Sequence, residues 1–314
     1  AEGFESLGLQ GRLMFPVFGG ILLALILHGV KAENRKVGIA HVIERLSFHQ
    51  GYISLQSGLL QFLCGILTLV SGQSCGREGP AVHLGATSSS LLGQWLNLPN
   101  NSIRTLVGCG TAAAISASFN TPIAGIIFAM EVVLLEYSLG GFTPVIIAAV
   151  TAAFITQSVY GNEPLLAVPE SLTGSLWDLP FVVLVALVIG AASASFVRLM
   201  VVVQKSVNQP LAWRMIGAGL LTGVAALFVP QIMGVGYDTV GAAIQGNHSL
   251  TFLLLAAVTK LLVTSIVFGL GMPGGLVGPS LFIGATLGGA MGLVVAELLP
   301  LHASGSGLYA VLGM

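Results

Sequence analysis

Charge is what this sequence has least of. Its 314 residues include 11 Lys and Arg and 12 Asp and Glu, or 7%, where a soluble domain carries about 25%. So few charges cannot cover a water-soluble globule, which excludes soluble enzymes and disordered chains. There is no basic tract and the net charge is −1, which excludes nucleic acid as a partner. Cysteine is scarce: Cys64, Cys75 and Cys109 are odd in number and lack C-x-x-C spacing, so they read as small buried hydrophobes. The six histidines, His28, His41, His49, His83, His248 and His302, show no metal-ligand spacing, and neither metal nor cofactor is implied. Strand alternation is missing, which excludes a β-barrel. No signal peptide is visible, and because the first residue is not Met, more chain is expected to precede it.

What is present is apolar. Hydrophobic residues make up 55% and the mean hydropathy is +0.95. A bilayer core of about 30 Å takes about 20 apolar residues in a helix. Leu13–Val30, Leu179–Met200, Trp213–Val229 and Phe252–Leu270 satisfy this, as do Ile53–Val70 and Thr143–Val159. Shorter stretches dotted with Gly and Pro, such as Pro80–Leu96 and Pro279–Leu299, bring the expected total to about ten helical segments, several of them broken. Lys and Arg concentrate in the loops predicted at Lys31–Arg45 and Arg198–Arg214, whereas Gly161–Asp178 has none. The bias places the first two in the cytoplasm and the third outside.

The chain repeats itself. Gly76-Arg-Glu-Gly-Pro80 continues through Gly85-Ala-Thr87 to Gly93, and Gly275-Leu-Val-Gly-Pro279 continues through Gly284-Ala-Thr286 to Gly292. Seven of 18 positions are identical at an offset of 199. Chance similarity in Gly-rich apolar sequence is the plainer explanation; inverted repeats, 1–172 and 173–314, are the more informative one. The counterpart of Asn120–Gly125 would fall near position 320, so the second repeat is expected to be truncated at its C-terminal end.

Gly-x-x-Gly-Pro ahead of an apolar run reads as a helix start. The first N–H groups of a helix lack partners and carry partial positive charge. Two such starts meeting inside a bundle can bind an anion weakly, as conduction requires; ordinary kinks with Gly packing are the alternative. Glu78 is the sharpest residue, because a carboxylate at membrane depth is a functional candidate by default. When ionised it can occupy an anion's place, and when protonated it can leave. The competing assignment is a structural pair with Arg77. Glu131, on another apolar helix, is a second candidate, with a structural hydrogen-bonding group as the equal alternative. Gly72-Gln-Ser-Cys-Gly76 fits G-x-S-x-G, but an apolar helix precedes it, not the strand that a nucleophile elbow needs.

Gly76–Pro80 resembles the GREGP signature of the CLC family of chloride channels and proton-coupled anion exchangers. Asn120-Thr-Pro-Ile-Ala-Gly-Ile-Ile-Phe-Ala-Met-Glu131 resembles that family's N-x-P-L-A-G-x-x-F-x-x-E helix. Gly275–Pro279 resembles its G-x-F-x-P motif, and Lys36-Val-Gly-Ile-Ala40 its G-S-G-I-P motif. The likeness covers essentially the whole chain. It implies an all-α integral membrane protein, a CLC-type inverted-repeat bundle of tilted and broken helices, multi-pass in the cell (inner) membrane. It also implies a homodimer in the lipid bilayer with one pathway per subunit for chloride or a similar small anion, and no enzyme activity. Glu78 would be the gate. Val37, Gly38, Ile39, Glu78, Gly79, Leu276 and Val277 would bind the anion, and Glu131 and Val132 would stand on the proton pathway.

The departures matter. Val37 stands where the family has its coordinating Ser, and the coordinating Tyr would lie beyond Met314. Val132 follows Glu131 where many exchangers carry a proton-accepting Glu. That favours passive, voltage- or pH-gated chloride conduction, with proton-coupled chloride/proton antiport as the alternative. A membrane enzyme around Ser74 and a non-conducting interaction subunit are the remaining classes. Restoring a hydroxyl with Val37→Ser adds a hydrogen bond to a charged ligand, worth about 1.5–3 kcal/mol. The expected result is roughly a tenfold change in anion preference in flux measurements; identical anion ratios would remove residue 37 from the pathway.

Overall fold

The computed structural model describes residues 3–30, 35, 38–135, 139–162, 166, 168, 178–298 and 304–314. Within them the chain forms thirteen α-helices and no strand. The first seven are α1 (Leu9–His28), α2 (Gly38–Phe48), α3 (Leu55–Val70), α4 (Glu78–Trp95), α5 (Asn100–Phe119), α6 (Pro122–Phe128) and α7 (Leu139–Tyr160). After them come α8 (Leu179–Ser206), α9 (Leu211–Phe228), α10 (Tyr237–Ile244), α11 (Leu250–Gly269), α12 (Val277–Leu298) and α13 (Ser306–Gly313). Six of these, α1, α7, α8, α9, α11 and α12, are long and apolar enough to cross a membrane. The exposed faces are apolar too, with Phe154 at 68% and Leu187 at 71% exposure, as lipid-facing helices require. The protein is a multi-pass integral membrane protein.

Local chemistry sets the helix ends. Ser54 and Ser249 cap α3 and α11 by accepting from the N–H groups of Ser57 and Phe252. Asn120, left-handed at φ 55°, ends α5, and Pro122 begins α6 at once. A π-helical stretch, Ala129–Leu134, follows α6. Gly72 (φ 69°) and Gly271 (φ 91°), also 199 residues apart, end α3 and α11 with the same left-handed turn.

Three expectations need correction. Lys31–Arg45 is not simply a loop, because its second half enters α2. Arg198 and Lys205 lie inside α8, which runs on through Leu, Val and Met to Ser206; long basic side chains near a helix end reach the interface from helical positions. Ile53–Val70 yields only the 16 residues of α3, about 24 Å long and short of a full crossing. The proposed boundary at 172/173 lies outside the described residues.

Without a hydrophobic driving force between helices in lipid, close backbone contact replaces it. α1 and α9 meet this way. A Cβ on Gly20 would lie 2.5 Å from the Met215 carbonyl oxygen, and a Cβ on Gly219 would collide with that of Pro16. Gly20 and Gly219 are 199 apart, as are Pro16 and Met215, so the contact is reciprocal. Gly85 against Gly110 joins α4 to α5 in the same manner. Overpacking costs about 1–3 kcal/mol and more where backbone must move, so Gly20→Leu is expected to lower stability by roughly 3 kcal/mol in a detergent-micelle unfolding titration. Gly190→Ala, whose Cβ meets nothing within 4 Å, should leave the midpoint unchanged or raise it.

Candidate functional site

The starts of α2, α4, α10 and α12 meet inside the bundle. The Gly76 N–H donates to the Gly275 carbonyl at 2.7 Å, and the Gly275 N–H donates back to the Gly76 carbonyl at 2.8 Å. This antiparallel bridge joins residues at equivalent places in the two motifs. It needs glycine, since a Cβ on Gly275 would sit 2.5 Å from the Gly79 nitrogen.

Glu78 is the first residue of α4 and is fully buried. Its Oε1 accepts from the Tyr237 hydroxyl and its Oε2 from the Gly278 N–H at 3.3 Å. Gly278 is the second residue of α12, so the carboxylate lies over the electropositive start of the opposing helix. An anion would be held by these same donors. Arg77 turns elsewhere: its Nη2 donates to the Ser118 carbonyl at 3.0 Å, and its Cζ lies 5.5 Å from the Tyr237 ring centroid.

Gly38, Ile39, Gly79 and Leu276 all line one cavity of about 520 Å³, together with Arg35, His41, Glu44, Met200 and Gln204. Its walls bring together the two segments whose basic residues predict the cytoplasmic side. Val277 is not part of this group; it lines a separate cavity of about 410 Å³ with Phe119, Leu281 and Met314. Val37 lies outside the described residues. Glu131 and Val132, on the π-helical stretch, are both exposed. One expectation changes in detail. The Gly38 N–H does not point at an anion; it donates to Gln61 Oε1 at 2.6 Å.

Sequence reasoning missed three side chains here. Tyr237 opens α10 and stands 199 residues after Gly38, which opens α2. Gln61 and Lys260 are likewise 199 apart, and both are fully buried. Gln61 holds the start of α2, while Lys260 Nζ donates to the carbonyls of Ile232 and Gly234 at 2.8 and 2.7 Å, just ahead of α10. Extending the repeat beyond its Gly-rich window would have found all three. Ser74 is fully buried against the Thr264 hydroxyl at 2.9 Å, and α3 precedes it, so it has none of the setting of a nucleophile elbow.

Known proteins resemble this chain along most of its length. A family model described as voltage gated chloride channel matches residues 19–314. A protein of Ralstonia nicotianae named for its likeness to the chloride channel ClcB is 32% identical over 99% of this chain and 74% of its own length. The H(+)/Cl(-) exchange transporter ClcA of Vibrio parahaemolyticus is 30% identical over 81% of this chain; the match spans 57% of that transporter. Among solved structures, a CLC-type fluoride/proton antiporter superposes with a TM-score of 0.80 at 28% identity, covering 96% of this chain and 75% of the other.

The buried polar anchors carry a testable cost. Lys260→Met keeps the volume but leaves two buried carbonyls without a donor, at about 1–3 kcal/mol each. The expected outcome is a loss of roughly 2–5 kcal/mol in detergent-micelle unfolding. An unchanged midpoint would show that water or a neighbouring donor replaces the ammonium.

Proposed function

The chain belongs to the voltage-gated chloride channel family, and from that premise we propose that it exchanges chloride, or a small anion like it, for protons across the cell membrane. The observation that carries this reading is the Glu78 carboxylate, buried and held by Tyr237 and the α12 start where an anion would bind. One group then meets both substrates in turn. Ionised, it fills the anion's place; protonated, it vacates that place and carries a proton. The family relatives named as proton-coupled exchangers support it.

On this reading Gly38, Ile39, Glu78, Gly79 and Leu276 line the anion path from the 520 Å³ cavity inward. Val277 lines a separate cavity and is not assigned to it. The two repeats divide near 172/173, and the working unit is a homodimer in the lipid bilayer. No step of enzyme catalysis is assigned to it. Passive conduction gated by Glu78 is the second reading, favoured by Val132, whose side chain cannot carry a proton.

Glu78→Gln separates the two. A neutral amide cannot alternate between anion and acid, so anion flux should persist and lose its pH dependence while proton movement stops. The measurement is simultaneous anion and proton flux in proteoliposomes with the potential clamped. Parent protein that dissipates an anion gradient without moving protons would establish passive conduction. Unchanged, pH-dependent flux in Glu78→Gln would remove Glu78 from both roles.

A further inference from the structure

Glu78 is not alone as an ionisable group inside the bundle. His41 Nδ1 on α2 and His83 Nε2 on α4 lie 2.9 Å apart. Their rings are nearly parallel, at 13°, with centroids 5.2 Å apart, so they meet edge to edge as an N–H···N bond requires. The Ser57 hydroxyl is 3.3 Å from both nitrogens. His83 is fully buried and His41 nearly so, yet His41 also lines the 520 Å³ cavity. The Thr87 hydroxyl donates to the His83 carbonyl at 2.7 Å, so it accepts from His83 Nδ1–H at 3.3 Å. In the neutral pair that makes His83 Nε2 the acceptor and His41 Nδ1–H the donor.

The architecture does not demand these polar groups. The residues 199 places after His41, Ser57 and His83 are Val240, Ala256 and Phe282. All three are fully buried members of one apolar cluster. The same helix junction is therefore built from hydrocarbon in one half and from two imidazoles and a hydroxyl in the other. Burying polar groups is costly unless they are hydrogen-bonded, and ionisable residues at membrane depth mark ion paths and proton relays. The polar version is the one beside the cavity.

We propose that the His41–His83 pair is a proton station between the cavity and Glu78; this rests on the exchange reading and supplies its inner proton route. A proton from cavity water is taken up at His41. The proton on His41 Nδ1 passes to His83 Nε2, so His41 is neutral again and His83 is the imidazolium. One proton enters, one positive charge moves inward, and no other bond changes. His83 follows Glu78 by five residues on α4, about 7.5 Å along the axis and about 140° around it, so the last step to the carboxylate runs through a chain of waters and not through direct contact. The other ionisable groups on the elements packed around the pair are Glu44 and Arg45 on α2, Cys64 on α3, Arg104 and Cys109 on α5, Glu131 on the π-helical stretch and Glu297 on α12. Arg45, one turn beyond His41 on α2, and Arg104 donate to the Tyr52 and Leu46 carbonyls at the C-terminal end of α2.

The test uses the chain in proteoliposomes with an imposed chloride gradient and the potential clamped by a potassium ionophore. Anion and proton fluxes are recorded together for the parent, His41→Gln, His83→Gln and His41→Glu. The parent should move protons uphill. Both Gln variants should lose about tenfold or more of the proton flux while anion flux stays within about twofold. His41→Glu should keep pumping, because a carboxyl group can carry the proton. Gln variants that pump at the parental ratio would overturn the station and leave the exchange reading standing. A parent that carries anions without protons would overturn both. If His41→Glu fails as completely as His41→Gln, the pair is structural and the station is overturned. Should His83→Gln not fold, the contrast between Gln and Glu at position 41 decides alone.

Discussion

Everything in the site depends on the reciprocal backbone hydrogen bonds between Gly76 and Gly275. Inside a bilayer no water satisfies a broken helix, so an interrupted backbone is tolerated only where protein supplies the partners. The two interruptions here supply each other. Each leaves a helix start facing the bundle interior, and the bridge brings them within reach of one carboxylate. Only residues without a Cβ let the strands of this bridge approach so closely, which is why both motifs are built on Gly-x-x-Gly.

From that junction outward the two halves share a frame but not its chemistry. At one pair of equivalent positions stand Gln61 and Lys260, fully buried, each tied to backbone at or just ahead of the start of a short helix. At another stand Gly38 and Tyr237. The glycine leaves space beside the cavity, while the tyrosine fills the space and bonds Glu78. At a third stand His83 and Phe282, the latter packed under the Lys260 ammonium at 5.0 Å. Exchange of this kind leaves equivalent positions of the two motifs with different chemistry. A symmetric site would offer an anion the same donors from both sides and nothing for a proton to ride on.

Much of this was open to reading along the chain. The shortage of charge and the spacing of apolar runs determined a multi-pass helical membrane protein, because the bilayer admits helices only where about 20 residues can satisfy their own backbone. The GREGP window and its echo 199 residues later located Glu78, since a carboxylate at a helix start is legible from local residue types alone. The short helices α2 and α10 were not legible. At eleven and eight residues they are too short to register as apolar runs of bilayer length, although their helical periodicity is the signal that could have found them.

What only the tertiary structure decided is who partners whom. Glu78 could equally have paired with Arg77, its neighbour in sequence; packing gave it Tyr237, 159 residues away, and sent Arg77 to Ser118. The Gly38 N–H looked available to an anion until α3 brought Gln61 against it. His41 and His83, scattered in sequence, became a single unit because α2 crosses α4. Composition and spacing act through local propensity and through the bilayer, so they settle which segments are helical and which are buried. Partner choice depends on interhelical approach, which arises only when close-packed glycines let particular helices touch.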